Sequence, residues 1–466
     1  MSQARPGLPP GPAPHRLLGN LPEFASDVLG FFTRSARTYG DVVTLTLGGR
    51  VAFMLNHPDL IEQVLVGQQR NFVKHSWFWR HVTAVFGHGL LTNEGDAWLA
   101  QRRMIQPAFH KERIAGYGRT MVDFTERMLD GWKDGEVRDL HRDVMGLTLE
   151  IVAKVLFDAD VKQDVAAVEV ALDDALEAVA LRFRRPFRVP DWIPIPSNVR
   201  YNRSVRQLDE IVYRFIREHE QRGPENGSDL LSVLMSARTE DGRPMPRKQI
   251  RDEATTLLLA GHETTALTLS WTFALLSQHP DVADRLAAEL DDVLGDQPPA
   301  VEDLPRLRYT EQVVAESMRL YPPAYVIGRE ALAGCEIGGW KVPAGTTLFM
   351  VPWVMHRDPR WFADPEVFRP ERWNGGLAER LPRFAYFPFG GGPRLCVGNR
   401  FAMMEAVLLL ASVARRFRVR LDPDRMPGLF PSITLRPLEG VHARVVSRGS
   451  RARSPQPPER KTAAPA

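Results

Sequence analysis

One long helical segment constrains the fold of this 466-residue chain more than any other feature. Pro246 and Pro280 bracket it, and an apolar run, ATTLLLAGHETTALTLSWTFALL, fills residues 254–276. At 1.5 Å per residue such a helix is about 50 Å long, enough to cross a whole domain. His262 and Glu263 stand at its centre, where exposure of a charge to lipid is costly. The pattern therefore predicts a helix buried in a large protein and not a membrane span.

The remaining patterns indicate a mainly α protein with a small β region. Two alternating runs at residues 42–47 and 51–55 are joined by a glycine pair, which predicts a β-hairpin. Helical spacing of apolar residues dominates residues 58–236, and a proline-containing loop is predicted at 182–198. Further helices are predicted at 280–294, 310–320 and 401–417, short strands at 331–350, and irregular structure at 352–395.

Composition and cysteine usage exclude several classes of protein. The net charge is +3, and no arginine-rich stripe alternates with aromatics, so no nucleic-acid partner is expected. The two cysteines, Cys335 and Cys396, favour a reducing compartment and are too few for a cysteine-built zinc site. Cys335 is predicted to be a small buried side chain. With no signal-peptide pattern at the N-terminus, we expect a cytoplasmic protein without a transmembrane anchor.

The other cysteine lies in a loop suited to holding a metal. Residues 387–400 read FPFGGGPRLCVGNR, and a helix is predicted to start near Gly398. Backbone N–H groups of a glycine-rich turn, with the helix terminus, lower a thiolate pKa and tune a bound iron. The three glycines allow close approach to a flat macrocycle, and Arg394 can reach a carboxylate at its edge. A phosphate loop is excluded because no G-K-[ST] follows.

This loop resembles the haem-binding loop of the cytochrome P450 family, F-x-x-G-x-R-x-C-x-G. The defined positions match at Phe389, Gly392, Arg394, Cys396 and Gly398. The resemblance implies that the cofactor is haem b (iron protoporphyrin IX) and that the Cys396 thiolate binds the iron. It also implies haem contacts for Phe389, Arg394 and Gly398.

The polar interruption of the long helix, AGHETT at residues 260–265, has two explanations. A threonine hydroxyl bonding back to a carbonyl one turn earlier, or a solvated stripe, is the simpler. The other is a proton relay, for which the helix must open locally to admit water; Gly261 and Thr264 favour such an opening. The stretch resembles the family's oxygen-activation motif, [AG]-G-x-[DE]-T-T. That implies Glu263 as the acid, Thr264 as the hydroxyl, and Ala260 as a cofactor contact.

Two further patterns gain meaning from this resemblance. Trp98 and Arg102 lie one helical turn apart, which alone indicates a partly buried Trp beside a surface Arg. Their similarity to the family's W-x-x-x-R implies that both bind a haem propionate, together with Arg394 and Arg329.

The Glu-x-x-Arg pair at Glu316 and Arg319 is uninformative by itself, since an exposed pair contributes only about 0.3–0.5 kcal/mol. The sequences LYPP at 320–323 and PERW at 370–373 resemble family landmarks, however. They imply that Arg372 completes a buried structural triad with this pair behind the cysteine loop.

The landmarks occur in family order between residues 95 and 405, which implies the family's fold. Length alone favours two or three domains, although a buried cofactor can hold one large unit together. The family's fold is a single mainly α domain with a small β region, in which the long helix crosses the domain over the haem. The predicted domain spans residues 23–446, after a Pro-rich segment at 1–22 and before a disordered tail at 447–466.

The expected substrate pocket is almost entirely apolar. It predicts a hydrophobic substrate such as a terpenoid, a fatty acid or a steroid-like ring system. Lys74, Arg80 and Arg182 are the charged exceptions. The expected apolar lining residues are Trp77, Phe78, Val85, Phe86, Val179, Leu181, Leu257, Leu258, Ala324, Val326 and Ile327.

The source of electrons is expected to be a separate protein. The chain has no flavin or iron–sulfur motif, so NAD(P)H is expected to act through a ferredoxin or flavodoxin and its reductase. An acidic partner is expected to dock on a basic face containing Arg102, Arg103, Arg372 and Arg400. The protein is expected to be a monomer.

Two other functions are alternatives to monooxygenation of the substrate. One is a haem-thiolate peroxygenase or peroxide isomerase, which needs no proton relay, so an intact Glu263–Thr264 pair argues against it. The other is a non-enzymatic haem or ligand carrier, which likewise has no use for Glu263. Fold alone does not decide between them.

Overall fold

The computed structural model describes residues 7–74, 82–184, 190, 192–223, 229–238 and 242–449. Within these ranges the fold is mainly α with small β-sheets, as predicted. The helices are α1 Leu21–Ser26, α2 Val28–Tyr39, α3 Pro58–Glu62, α4 Thr83–Phe86, α5 Gly95–Ile105, α6 Lys111–Leu129, α7 Leu140–Phe157, α8 Val165–Arg184, α9 Pro196–Arg222, α10 Leu230–Ser236, α11 Arg247–Gln278, α12 Pro280–Val293, α13 Arg308–Leu320, α14 Pro352–Met355, α15 Leu377–Arg380 and α16 Asn399–Arg416. The strands are β1 Val42–Leu47, β2 Arg50–Leu55, β3 Phe72–Val73, β4 Val137–Asp139, β5 Ile327–Ala331, β6 Cys335–Ile337, β7 Trp340–Val342, β8 Thr347–Met350, β9 Phe417–Leu421, β10 Leu429–Pro431, β11 Leu435–Pro437 and β12 His442–Ser447.

Helix α11 is the central element of the core. Its 32 residues run between Pro246, which precedes the helix, and Pro280, which starts α12, so the bracketing prolines set its length as predicted. Both apolar and polar side chains along α11 are buried, and the helix packs against α7, α9, α13 and α16. It is thus enclosed by other helices. Over the part of the chain that the structure describes, no helix is long and apolar enough to span a membrane.

A five-stranded sheet forms the main β region, with strand order β1-β2-β8-β5-β3. The predicted hairpin is confirmed: β1 and β2 pair antiparallel, and Gly48 and Gly49 fill the two-residue turn with φ of +56° and +79°. Strand β8 pairs parallel to β2 and antiparallel to β5. This pairing carries Arg329 of β5 to the site described below.

Three predicted boundaries need correction. Helix α8 continues to Arg184 and α9 begins at Pro196, so the loop predicted at 182–198 is shorter at both ends; proline suits a first helical turn, where its missing N–H costs nothing. Helix α1 already includes residues 21 and 22 of the predicted Pro-rich segment. Strand β12 reaches Ser447, and Arg448 forms an ion pair with Asp291 at 2.8 Å, so the tail predicted from residue 447 begins no earlier than 450. Residues 450–466 lie outside the described part.

Candidate active site

A cavity of about 380 Å³, bounded by α11 and the cysteine loop, gathers most of the predicted site residues. Its volume is within the range of small-molecule sites, about 300–1,000 Å³. Gly398 does not line it but precedes α16, and its backbone N–H hydrogen-bonds Cys396. The predicted residues that do line the cavity are Trp98, Arg102, Ala260, Glu263, Thr264, Arg329, Phe389, Arg394 and Cys396.

The cysteine loop presents the Cys396 sulfur to this cavity. The Cys396 N–H donates to the Phe389 carbonyl oxygen at 3.0 Å, which closes the loop just before α16. The Cys396 side chain is open to the cavity, but the surrounding protein desolvates the thiol and raises its pKa above the usual value, while the Gly398 N–H and the charges of Arg102 and Lys74 oppose the rise. A metal ion bound to the sulfur would deprotonate it outright. The loop therefore offers one thiolate ligand to a metal in the cavity.

Two glycines of the loop lie close to the protein behind it. Gly392 has φ of +64°, and a Cβ there would lie 2.0 Å from the carbonyl oxygen of Leu65. At Gly391, a Cβ would lie 2.2 Å from the Phe384 ring. These two glycines thus permit a close approach to the protein behind the loop. Gly390 and Gly391 also line the cavity, and the predicted approach to a macrocycle stays a prediction.

Four cations meet at one edge of the cavity: Lys74, Arg102, Arg329 and Arg394. Burial lowers the pKa of Arg329 to about 10, and the Arg394 charge acts in the same direction. Burial and the same two arginines also lower the pKa of Lys74 well below its usual value. Such a concentration of buried positive charge is costly unless an anion binds. The two propionates of protoporphyrin are suitable anions, so this edge fits haem.

Neighbouring groups hold these cations in place. The Arg394 guanidinium lies 3.9 Å from the Trp98 ring centroid, a cation–π contact. Arg102 donates to the Leu395 carbonyl oxygen at 2.8 Å, which ties α5 to the cysteine loop. Lys74, which the sequence assigned to the substrate pocket, belongs to this cluster instead.

On the opposite wall, the two predicted relay residues make other contacts. The Thr264 hydroxyl donates to the Ala260 carbonyl oxygen at 2.8 Å, and α11 is α-helical throughout, so the local opening is not present. Glu263 Oε1 accepts from Thr434 Oγ1 at 2.6 Å and from Arg436 Nε at 2.7 Å. Burial alone would raise the Glu263 pKa, but Arg436 and Thr434 bring it below its usual value. Glu263 is therefore a carboxylate here.

Thr434 and Arg436 are functional candidates that the sequence analysis missed. They belong to the β10–β11 hairpin, more than 170 residues after Glu263 in the chain. Thr434 also lines the cavity, so this hairpin touches both the cavity and the acid. The one available signal was Arg436 itself, an arginine between the apolar neighbours Leu435 and Pro437 in a strand.

The predicted structural triad is confirmed. Glu316 and Arg319 are both 0% exposed and are joined by two hydrogen bonds, while Arg372 Nε donates to Glu316 at 2.8 Å.

The predicted docking face needs correction. The prediction that Arg372 belongs to it is wrong, since the Arg372 side chain is only 6% exposed. Arg102 is half-buried, lines the cavity and donates to the Leu395 carbonyl oxygen, and its role in docking stays a prediction. Arg103 and Arg400 are exposed.

The substrate side of the cavity is apolar, as predicted. Val85 and Leu258 do not line it; both pack in the helical core. Trp77, Phe78 and Arg80 lie outside the described residues, as do the side chains of Val179, Leu181 and Arg182. Predicted residues that line the cavity are Phe86, Leu257, Ala324, Val326 and Ile327. Further apolar lining residues are Leu90, Leu91, Leu259, Phe349 and Ile433.

A cysteine loop beside a long buried helix, with a cation cluster at the cavity edge, is the arrangement of a haem-thiolate protein. The model of the cytochrome P450 family matches residues 9–441, and the chain belongs to this family. It is therefore an oxidoreductase of the monooxygenase class, as the sequence motifs predicted.

Named relatives agree with this assignment. The chain is 37% identical over 421 residues to cyclooctat-9-en-7-ol 5-monooxygenase of Streptomyces melanosporofaciens, covering 90% of each chain. It is 34% identical over 419 residues to pentalenene oxygenase of Streptomyces avermitilis, covering 90% of this chain and 92% of the relative. It is also 31% identical over 440 residues to the chloroplastic protein LUTEIN DEFICIENT 5 of Arabidopsis thaliana, covering 88% of this chain and 73% of the relative.

Proposed function

We propose that this enzyme holds haem b through the Cys396 thiolate and hydroxylates or otherwise oxidises an uncharged terpenoid. The observation that carries the proposal is that Cys396, the cation cluster and the Glu263–Thr264 pair all line one largely apolar cavity. The names of the relatives refer to cyclooctat-9-en-7-ol and to pentalenene, and both compounds are terpenoids. These names favour a terpenoid over the fatty-acid and steroid-like alternatives.

Haem b with a thiolate ligand supplies the activation of dioxygen at iron. The protein's own residues bind and orient it: the cation cluster binds its carboxylates, and Cys396 binds its metal. The apolar walls exclude bulk water and hold a hydrophobic substrate. The cation cluster, Cys396 and the apolar walls would thus together hold the reacting atoms in one cavity and keep bulk water away from them.

The lining residues also favour an uncharged substrate. The cations among the described lining residues all belong to the cluster at the haem edge, and the carboxylate Glu263 is paired with Arg436. Among the described lining residues, a fatty-acid carboxylate would therefore find no cation outside this cluster.

Spectroscopic titration of the ferric holoprotein tests this preference. Cyclic terpene hydrocarbons or alcohols are expected to produce a low-spin to high-spin shift, and fatty acids of equal carbon number are not. A shift with fatty acids alone would assign the enzyme to that substrate class instead.

Proton delivery is assigned to Thr264, and Glu263, a carboxylate paired with Arg436 in this structure, is proposed to take up a proton and pass it on to Thr264. Replacing Thr264 by alanine removes the hydroxyl at the cavity wall, so reducing equivalents are expected to leave as hydrogen peroxide. Product formed per NAD(P)H consumed should fall about tenfold or more. Thr272→Ala is the matched control, because Thr272 bonds back to Thr268 in the same helix at 2.7 Å but does not line the cavity.

The outcome also separates the competing activities. Full coupling of NAD(P)H to product in Thr264→Ala would contradict the relay. Efficient turnover with hydrogen peroxide alone would favour the peroxygenase alternative, and an absence of turnover with any redox pair would favour a carrier.

Electrons are proposed to arrive from a ferredoxin or flavodoxin that docks near Arg103 and Arg400. These exposed residues lie on α5 and α16, the two helices that flank the cysteine loop. Charge reversal of both is expected to slow reduction by an acidic partner and to flatten its dependence on salt. Arg50→Glu, next to the exposed turn of the β1–β2 hairpin, is the control. Unchanged reduction kinetics in the double variant would move the docking face elsewhere.

A further inference from the structure

A single carboxylate, Glu94, lies behind the cation cluster. Its side chain is 12% exposed and is not part of the cavity wall. One carboxylate oxygen forms an ion pair with Arg394, and the other accepts the backbone N–H of Lys74 at 2.6 Å. Glu94 therefore contacts two of the segments that supply the cations.

These contacts restrict Arg394 on several sides. Its Nη1 donates to the Asn93 carbonyl oxygen at 2.8 Å, its Nη2 pairs with Glu94, and its guanidinium stacks on the Trp98 ring. Glu94 is the residue that precedes α5, and Trp98 lies one turn further along the same helix. Residues at the start of α5 thus fix the position of Arg394 in the cysteine loop, although Glu94 and Arg394 are 300 residues apart in the chain.

We propose that Glu94 is a positioning residue for the haem: it orients Arg394 towards the cofactor carboxylates and lowers the positive potential at that edge of the cavity. The proposal rests on haem binding at Cys396. Among the described residues at this edge, one carboxylate reduces the formal charge of the four cations from +4 to +3. The charge of Glu94 acts on Lys74, Arg329 and Arg394 alike.

Two consequences follow for the cofactor. Ferrous haem carries one positive charge fewer than ferric haem, so a nearby carboxylate stabilises the ferric state and lowers the reduction potential. A fixed Arg394 also slows the loss of haem, because Glu94, Asn93 and Trp98 hold its guanidinium in one orientation and less conformational freedom is lost when its remaining donors bind a carboxylate. The effect on the reduction potential depends on the charge of Glu94, and the effect on haem loss depends on the length of its side chain.

Three variants separate these effects in the purified holoprotein. Glu94→Gln removes the charge and keeps an oxygen for the Lys74 N–H, Glu94→Asp keeps the charge and shortens the side chain, and Glu302→Gln is an exposed control. For each, we would measure the haem reduction potential by spectroelectrochemistry and the rate of haem transfer to apomyoglobin. The carbon monoxide difference spectrum of each verifies thiolate ligation.

Glu94→Gln is expected to shift the ferric–ferrous equilibrium about tenfold towards ferrous haem, which is about 59 mV for one electron. Glu94→Asp is expected to keep the wild-type potential, although both Glu94 variants should lose haem several-fold faster. Glu302→Gln is expected to match wild type in both measurements.

An unchanged potential in Glu94→Gln, or an equal shift in Glu94→Asp, would overturn the proposal while thiolate ligation stands. A wild-type protein without a thiolate-type spectrum would overturn the proposed function as well.

Discussion

Replacing Cys396 by alanine is expected to abolish oxygenation, with the rate of product formation falling by at least about 10³-fold. The reason is that a haem group held by this thiolate would supply the oxygen-activating chemistry, which would be lost with the ligand. Cys396 is the proposed source of the thiolate, since the other cysteine, Cys335, pairs with Val342 in the β6–β7 hairpin. Haem is expected to remain partly bound, because the cation cluster still holds its carboxylates.

The chain provides a matched control for this experiment. Cys335 is half-buried at the edge of a small sheet and is not part of the cavity wall, so Cys335→Ala is expected to keep wild-type activity. Both variants would be compared for haem content and for product formed with the same redox pair. Oxygenation by Cys396→Ala at the wild-type rate would show that another group binds the iron.

The second large effect is expected on stability, from Glu316→Ala. Glu316 accepts hydrogen bonds from Arg319 and Arg372 and, at 3.0 Å, from the Trp373 indole. Its removal leaves two buried guanidinium groups without their carboxylate. Loss of one partner of a buried ion pair costs about 3–5 kcal/mol. Because PERW and the start of the irregular segment pack on this site, we expect the cysteine loop to lose its support and the variant to retain little haem.

Asp284→Ala is the control for this prediction, since it breaks an ion pair with Arg418 in which both side chains are more than 40% exposed. Exposed pairs contribute about 0–1 kcal/mol. Urea denaturation of both variants at equal haem and protein concentration would compare their midpoints, because bound cofactor itself shifts apparent stability. Equal midpoints for Glu316→Ala and Asp284→Ala would mean that the triad contributes no more than a surface pair.

The elements of this fold were predictable where a local signal marks an end. Pro246 and Pro280 delimit α11, and the glycine pair at 48 and 49 marks the β-hairpin, since each residue acts on its own backbone. The proline-rich stretch before α9 was assigned entirely to a loop because Pro196 is compatible with both a loop and a first helical turn. Local patterns alone do not decide between these two uses of proline.

The same distinction applies to the residues of the site: those in a local motif were predictable, and those brought together from distant segments were not. Trp98, Arg394 and Cys396 were found because each belongs to a motif of fixed spacing. Arg436 was not found, although a buried Glu263 requires a cation: the chain contains 60 lysines and arginines, and no local pattern identifies the one that folds beside it. Partners that come from distant segments are determined by tertiary packing and not by spacing.

The most direct test of thiolate ligation is the carbon monoxide difference spectrum of the native, dithionite-reduced protein. We expect a strongly red-shifted Soret band, because a thiolate ligand would change the electronic structure of the iron. A band at the position typical of histidine-ligated haem in freshly purified protein would contradict Cys396 as the ligand. Absence of haem would contradict the whole site.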